Sequence, residues 1–210
     1  MFTEFSKYQR VGVFVDVQNM FYSAKNLHHG AKLNFFKLME KAVRGRQLIR
    51  AICYLIENPE IDQSAFIDML KNKGYEIRKK GLRTRADGSS KGDWDMGIAI
   101  DAVSLAEKLD IVVLVSGDGD FSDLVYHLKS RGVLVEVISF PRSTNEDLIR
   151  AVDVYSPIEK DLLIMPGYPK KTPSNKSYTN QNRQPSEGGT QNKPDSIEQL
   201  ANTINGFLNL

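Results

Sequence analysis

Two short runs in this chain carry no polar residue: Val11-Gly-Val-Phe-Val15 and, a hundred positions later, Ile111-Val-Val-Leu-Val115. A strand with one wet face alternates apolar and polar residues, whereas an unbroken apolar run belongs in the interior of a sheet. These runs predict strands from Val11 to Asp16 and from Ile111 to Ser116, and further strands are expected at Leu48 to Leu55, Tyr75 to Lys79 and Val133 to Ser139. Val152 to Ile158 reads as a sixth strand or an extended finish. Helical spacing falls between the strands, at Asn19 to Asn26, Asn34 to Arg44, Asp62 to Lys73, Asp93 to Lys108, Phe121 to Ser130 and Glu146 to Ala151. Strand and helix patterns in alternation are the signature of crossover units, so the expectation is an α/β fold on a mainly parallel sheet of about five to six strands. Gly74 and Gly132 follow two of these helices, where a C-cap favours glycine. The helix from Asp93 is apolar on most sides, which predicts burial between sheet and neighbours.

The 210 residues suit one domain with an extension, and a net charge of +2 decides little about partners. The single cysteine, Cys53, excludes an internal disulfide and reads as a buried, inert thiol in an apolar strand. No apolar run approaches the roughly 18 to 20 residues of a membrane span, and the polar start lacks a signal peptide's core. A soluble cytoplasmic protein without membrane contact is expected. After Met165 the composition turns to Pro, Gly, Ser, Asn and Gln, and about 166 to 195 reads as a disordered linker. Ile197, Leu200, Ala201, Ile204 and Leu208 then form one stripe of a short amphipathic helix over 196–210. That stripe suits docking on a protein partner, a second copy of the chain or the parent domain. An isolated helix this short is otherwise marginal in water.

Both apolar runs end on acids. The first leads into Asp16-Val-Gln-Asn19, the second into Ser116-Gly-Asp118-Gly-Asp120-Phe121. Ligands of open α/β sheets sit beyond the carboxyl ends of the strands, so two such ends point to one shared site. Asp95 supplies a third acid, at a helix start after Lys91-Gly-Asp93-Trp94. Taken singly, helix-start stabilisation accounts for Asp93 and Asp95, and capping accounts for Asp120 with Asp123. Together they mean three separated segments delivering acids to one edge. Carboxylates that repel one another are neutralised by a cation, and hard divalent ions such as magnesium or manganese take oxygen ligands. His28, His29 and His127 have no zinc-site spacing, and Gly117-Asp-Gly119 lacks the third glycine of a dinucleotide loop. Hydrolysis by metal-activated water is the chemistry this pattern favours.

In this order, Val13-Phe-Val-Asp16-Val-Gln-Asn19, Lys91-Gly-Asp-Trp-Asp95 at the head of a helix, and Val115-Ser-Gly-Asp118-Gly-Asp120-Phe-Ser-Asp123-Leu resemble the NYN domain of the LabA-like branch, within the PIN-like nuclease superfamily. The resemblance spans about residues 9 to 160 and marks 1–160 as the nuclease-like domain. It implies a compact three-layer, Rossmann-like α/β fold and an acidic pocket that binds magnesium or manganese and acts on RNA. Asp16, Asp95, Asp118 and Asp120 would be the acidic quartet, with Asn19 orienting a ligand or water. The middle segment departs from the commonest form, in which an apolar residue precedes the acid and no acid stands two places earlier. Asp93 therefore competes with Asp95, which is favoured. Asp101 lies six residues beyond Asp95, about 120° around an ideal helix, and so is unsuited to share an ion with it directly. Asp123 stands one turn after Asp120 and either faces the site or caps.

Ahead of Asp95 runs a basic arm of Arg78, Lys79, Lys80, Arg83 and Arg85, then Lys91. Such residues give sequence-independent, salt-sensitive contacts to RNA phosphates, or else line a solvated strand edge. Trp94 is placed to stack on a base or to pack against the domain. These readings combine into a metal-dependent ribonuclease. The competing expectation is a noncatalytic RNA-binding or regulatory protein that keeps the acidic pocket and recruits a partner. A phosphatase is weaker, because Asp16-Val-Gln-Asn19 lacks the paired acids of a phosphoaspartate mechanism.

Overall fold

The structure is a computed structural model and describes residues 7–28, 31–57, 61–81, 83–84, 90–91 and 93–165. The linker and C-terminal helix expected beyond position 165 lie outside the described residues, as do Arg85 and His29. One sheet holds six strands: β1 (Arg10–Asp16), β2 (Gln47–Glu57), β3 (Glu76–Gly81), β4 (Ile111–Val115), β5 (Leu134–Ser139) and β6 (Val154–Pro157). All neighbours pair in parallel, in the order β3-β2-β1-β4-β5-β6. The chain begins in the middle of the sheet, builds outward to β3, then crosses back to lay β4 against β1. The connections leaving β1 and β4 run in opposite directions, which opens a crevice at their carboxyl ends.

Alternation along the strands explains why both faces need helices. Val11, Val13 and Val15, with Ile111, Val113, Val115, Ala51 and Cys53, pack under α1 (Val17–Leu27), α2 (Phe35–Val43) and α3 (Ser64–Asn72). Phe14, Ile52, Val112, Leu114, Val135 and Val137 pack on the other face under α4 (Asp95–Leu105), α5 (Ser122–Ser130) and α6 (Glu146–Ala151). The result is the three-layer α/β arrangement of a PIN-like fold. No helix among the described residues is long and apolar enough to cross a membrane. Cys53 is wholly buried, and desolvation pushes its thiol well above its ordinary value, which suits an inert role.

Some boundaries differ from expectation for local reasons. Helix α1 starts at Val17 because Asp16 caps it, and α5 is preceded by a separate 3-10 turn at Gly119–Phe121. Helix α4 opens at Asp95 and stops at Leu105, passing into a 3-10 turn through Lys108. Its burial is also less complete than its composition predicts: Ile98 and Ala102 are buried, but Met96 is 71% and Ile100 57% exposed. Only one stripe of a helix can meet the sheet, and among the described residues no further layer covers the rest. Two short antiparallel ladders, Lys32–Leu33 with Leu163–Ile164 and Arg83–Thr84 with Ser90–Lys91, were not foreseen. Gly74 and Gly132 take φ of +88° and +82° just beyond α3 and α5, as a glycine C-cap requires.

One buried ion pair ties the α2–β2 connection to β5. Arg46 Nη1 and Nη2 donate to Glu136 Oε1 and Oε2 at 2.7 and 3.0 Å, with both side chains almost wholly buried. Nε and Nη2 also donate to the carbonyls of Val43 and Ala42, at 3.0 and 2.7 Å, where they tie down the end of α2. A buried pair with its hydrogen bonds satisfied is tolerated, whereas half of one is not. Glu136→Ala is therefore expected to lower stability by about 3–5 kcal/mol in urea denaturation. The double replacement Arg46→Met with Glu136→Leu should recover most of that loss. A single-variant loss below about 1 kcal/mol would show that water reaches the guanidinium.

Candidate metal centre

The site is assembled from the ends of β1 and β4 and the start of α4. Asp16 is both the last residue of β1 and the N-cap of α1, its Oδ1 accepting from the Asn19 backbone N–H at 3.0 Å. Asn19 then reaches across to β4, where its own Oδ1 accepts from the Gly117 N–H at 3.0 Å. Ser116 Oγ, wholly buried, takes the Asp118 N–H at 3.3 Å and stands 3.5 Å from Asp16 Oδ2. Asp118 in turn accepts the Asp120 N–H on Oδ1 at 3.1 Å, opening the 3-10 turn ahead of α5. The two loops are thus stitched to each other by side chains.

The glycines between these acids answer to close packing. A Cβ at Gly117 would lie 2.8 Å from the Ser143 carbonyl oxygen, and one at Gly119 would lie 2.5 Å from Asn145 Nδ2. The β5–α6 connection rests directly on the acidic loop, and the Asn145 N–H donates to the Gly117 carbonyl at 3.0 Å. Nothing in the sequence pattern pointed to Ser143–Asn145, because contact across that distance has no local periodicity.

Asp95, Asp118 and Asp120 each present a carboxylate oxygen, and these oxygens all lie within 4.8 Å of one another. Asp16 stands behind this trio, 7% exposed, and burial pushes its carboxyl up to about 6. The Asn19 amide and Ser116 hydroxyl pull that value down, while the charges of Asp95 and Asp118 push it further up. Asp16 is thus coupled to Asp95 and Asp118, and Asp120 completes the unit by its place in the trio. Exposure rises from buried Asp16 through half-buried Asp95 and Asp118 to exposed Asp120, so the unit opens outward. It opens onto a cleft of about 360 Å³ between α4 and α5, with Asp95, Asp120, Asp123 and His127 along it and Met96, Ala99, Val103 and Leu124 in its walls. Converging carboxylate oxygens without cysteine or histidine are a donor set for a hard divalent ion. These residues fit magnesium or manganese.

The other candidates take different positions. The Asp93 backbone carbonyl accepts from Lys80 Nζ at 3.1 Å, and it is Asp95 that joins the trio. Asp101 turns away, accepting from Tyr54 Oη at 2.9 Å and pairing with Arg78 Nε at 3.5 Å. Asp123 lies exposed along the cleft, outside the trio. Trp94 packs on Tyr54 at 5.3 Å between ring centroids and donates Nε1–H to the Leu55 carbonyl at 2.8 Å. Its ring anchors the start of α4, and Lys80 Nζ lies over it at 5.4 Å. Within the basic arm, Arg78 pairs with Asp101 and Lys79 with Glu57, on the edge strand β3. Arg83 and Lys91 are backbone partners in one of the two-residue ladders.

Comparison with protein families matches residues 10–159 to the NYN domain. The chain belongs to the NYN family. This NYN domain is 30% identical over 157 residues to the low amplitude and bright protein LabA of Synechococcus elongatus, covering 70% of this chain and 82% of that protein. A protein of unknown function from Vibrio parahaemolyticus, known from a crystal structure, is 34% identical. The two folds agree with a TM-score of 0.70, covering 78% of this chain and 100% of that one. NYN domains share the PIN-like nuclease fold, and the acidic trio stands where the strand ends of that fold converge.

The raised Asp16 carboxyl has a thermodynamic sign. An acid whose folded value, about 6, exceeds an unfolded value of about 3.9 holds its proton more tightly in the native state. Its contribution to stability therefore falls as pH rises between those values, and the penalty is complete above the folded one. Asn cannot ionise and caps a helix as well as Asp does. In chelator, Asp16→Asn is expected to raise the melting temperature at about pH 7.5, by up to about 3 kcal/mol of stability, with the gain vanishing near pH 4. A less stable variant at the higher pH would mean that the carboxylate is favoured as an anion.

Proposed function

We propose that this NYN domain hydrolyses RNA phosphodiesters in a reaction that depends on magnesium or manganese, held by Asp16, Asp95, Asp118 and Asp120. The observation that carries this reading is the convergence of the Asp95, Asp118 and Asp120 oxygens within 4.8 Å of one another at the sheet's switch point. When bound there, such an ion supplies neutralisation of phosphate charge and a water acidic enough to attack near neutral pH. The protein's own contribution is spacing. The Asn19–Gly117 bond fixes β1 against the β4 loop, Ser116 holds the backbone of Asp118, and Trp94 fixes the start of α4. Each acid is thereby held before substrate arrives, which limits reorganisation during the reaction.

Electrostatics also orders the events. A cluster of four carboxylates repels a phosphodiester, so RNA enters productively only once that charge is neutralised. Arg78, Lys79, Lys80, Arg83, Arg85 and Lys91 are proposed to draw RNA towards this edge. Arg78 and Lys79 remain about half exposed while paired, so phosphates are able to exchange for Asp101 and Glu57. The cleft between α4 and α5 is proposed to carry the strand onward from the trio, past Asp123 and His127.

The purified 210-residue chain is expected to cut labelled single-stranded RNA with manganese or magnesium and not with chelator. Asp118→Asn should reduce the rate by about a hundredfold or more. Manganese should raise the melting temperature of the wild type and leave that of Asp118→Asn unchanged, as binding to the native state requires. Cutting that survives both Asp118→Asn and Asp16→Asn would come from a contaminant. RNA retained at low salt but never cut would make this a noncatalytic RNA-binding protein.

A further inference from the structure

The cleft between α4 and α5 has two unlike sides. Asp95 and Asp120 line it where the two helices begin, and both belong to the acidic trio. Beyond them the α4 side is apolar. Met96, Ala99 and Val103 recur at spacings of three and four, a stripe turned away from buried Ile98 and Ala102. With Met96 71% exposed, that stripe is an open apolar wall directly beside the acids.

The α5 side supplies polar groups that the fold leaves unused. Asp123 and His127 both line the cleft and both are exposed. They stand four residues apart, the spacing at which side chains pair along a helix. Among the described residues no ion pair joins them, and no hydrogen bond engages the Asp123 carboxylate. Nor does Asp123 cap, because the Asp120 N–H that it would accept goes to Asp118 Oδ1 at 3.1 Å. Its place in the first turn of α5 suits the helix dipole. That accounts for an acid there, but not for an imidazole one turn further on or for the apolar wall opposite.

We propose that this cleft is the base-recognition subsite of the RNA site, in which a guanine lies against the α4 wall and the His127 ring and donates to the two oxygens of Asp123. The proposal rests on the ribonuclease reading and names what that site recognises besides phosphate. Asp123 follows Asp120 by three residues, a rise of about 5 Å, so a nucleotide whose phosphate meets the trio has its base within the cleft. The lining holds three carboxylates and no lysine or arginine, which disfavours a second phosphate and favours a neutral donor. An ionised carboxylate only accepts, and on two oxygens at once. Guanine matches it with adjacent ring N–H and amino donors on its Watson–Crick edge, the edge that single-stranded RNA leaves open. Adenine and cytosine offer an amino group beside a ring acceptor. Uracil sets its one N–H between two carbonyls, which the carboxylate repels.

The test titrates the 210-residue chain in chelator with guanosine and with uridine, so that neither metal nor phosphate contributes. NMR is expected to show saturable shifts of the Met96 methyl and the His127 ring with guanosine, and binding about tenfold weaker or less with uridine. Asp123→Asn keeps the side chain's shape but sets an N–H2 against one of guanine's donors, while offering uracil a donor and an acceptor together. Preference should therefore pass from guanosine to uridine, an exchange that a merely structural role would not produce. Ala99→Leu, which fills the cleft from α4, should abolish the guanosine shifts in a protein that stays folded. No saturable shift with guanosine, or an unchanged preference in folded Asp123→Asn, overturns the proposal. With manganese, uridine oligonucleotides carrying one guanosine should be cut at a fixed distance from it. Cutting indifferent to the guanosine would remove the subsite and keep the nuclease. Guanosine seated at Met96 and His127 in a protein that cuts no RNA would keep the base site and remove the nuclease.

Discussion

The parallel pairing of β1 with β4 is the joint on which the molecule depends. Val11 to Val15 register against Ile111 to Val115, and each strand is buried on both faces. Backbone hydrogen bonding and the loss of apolar surface on two sides favour the same alignment, because slipping by one residue would exchange the sets of side chains offered to the two helical layers. That register also sets two strand ends side by side. Asp16 and the Ser116–Asp120 loop meet because valines and isoleucines a hundred residues apart pack together.

Two kinds of buried charge show different solutions to one problem. Arg46 and Glu136 cancel each other in a bidentate pair that the backbone completes, so their burial is consistent with a rigid scaffold. The acidic cluster has one sign only, and capping bonds from Asn19 and Ser116 offset just part of Asp16's desolvation. A folded protein that keeps such an arrangement carries an electrostatic strain that a cation relieves. Strain of that kind is concentrated where the sheet changes direction, at the position where the fold already leaves a crevice.

Legibility in the sequence followed physical range. The central strands and the helices between them could be read because burial on two faces or on one stripe writes a pattern over several residues. The acids could be read because strand ends are where an α/β sheet exposes functional groups. Side-chain direction was harder. Helical geometry separated Asp101 from Asp95, but its bonds to Tyr54 and Arg78 depend on a strand 47 residues away in one case. The pairing of Lys79 with Glu57 and the packing of Trp94 on Tyr54 likewise arise only when β2, β3 and α4 come together.

The contact of Ser143 and Asn145 with the two glycines makes the β5–α6 connection a backstop for the acidic loop. The spacing between carboxylates is consequently inherited from a segment that contributes no acid of its own to the trio. Sequence drift there would detune the centre as surely as losing an aspartate, while every recognisable motif stayed intact. Within such a family, an unaltered set of acids is a poor guide to whether the geometry behind them has survived.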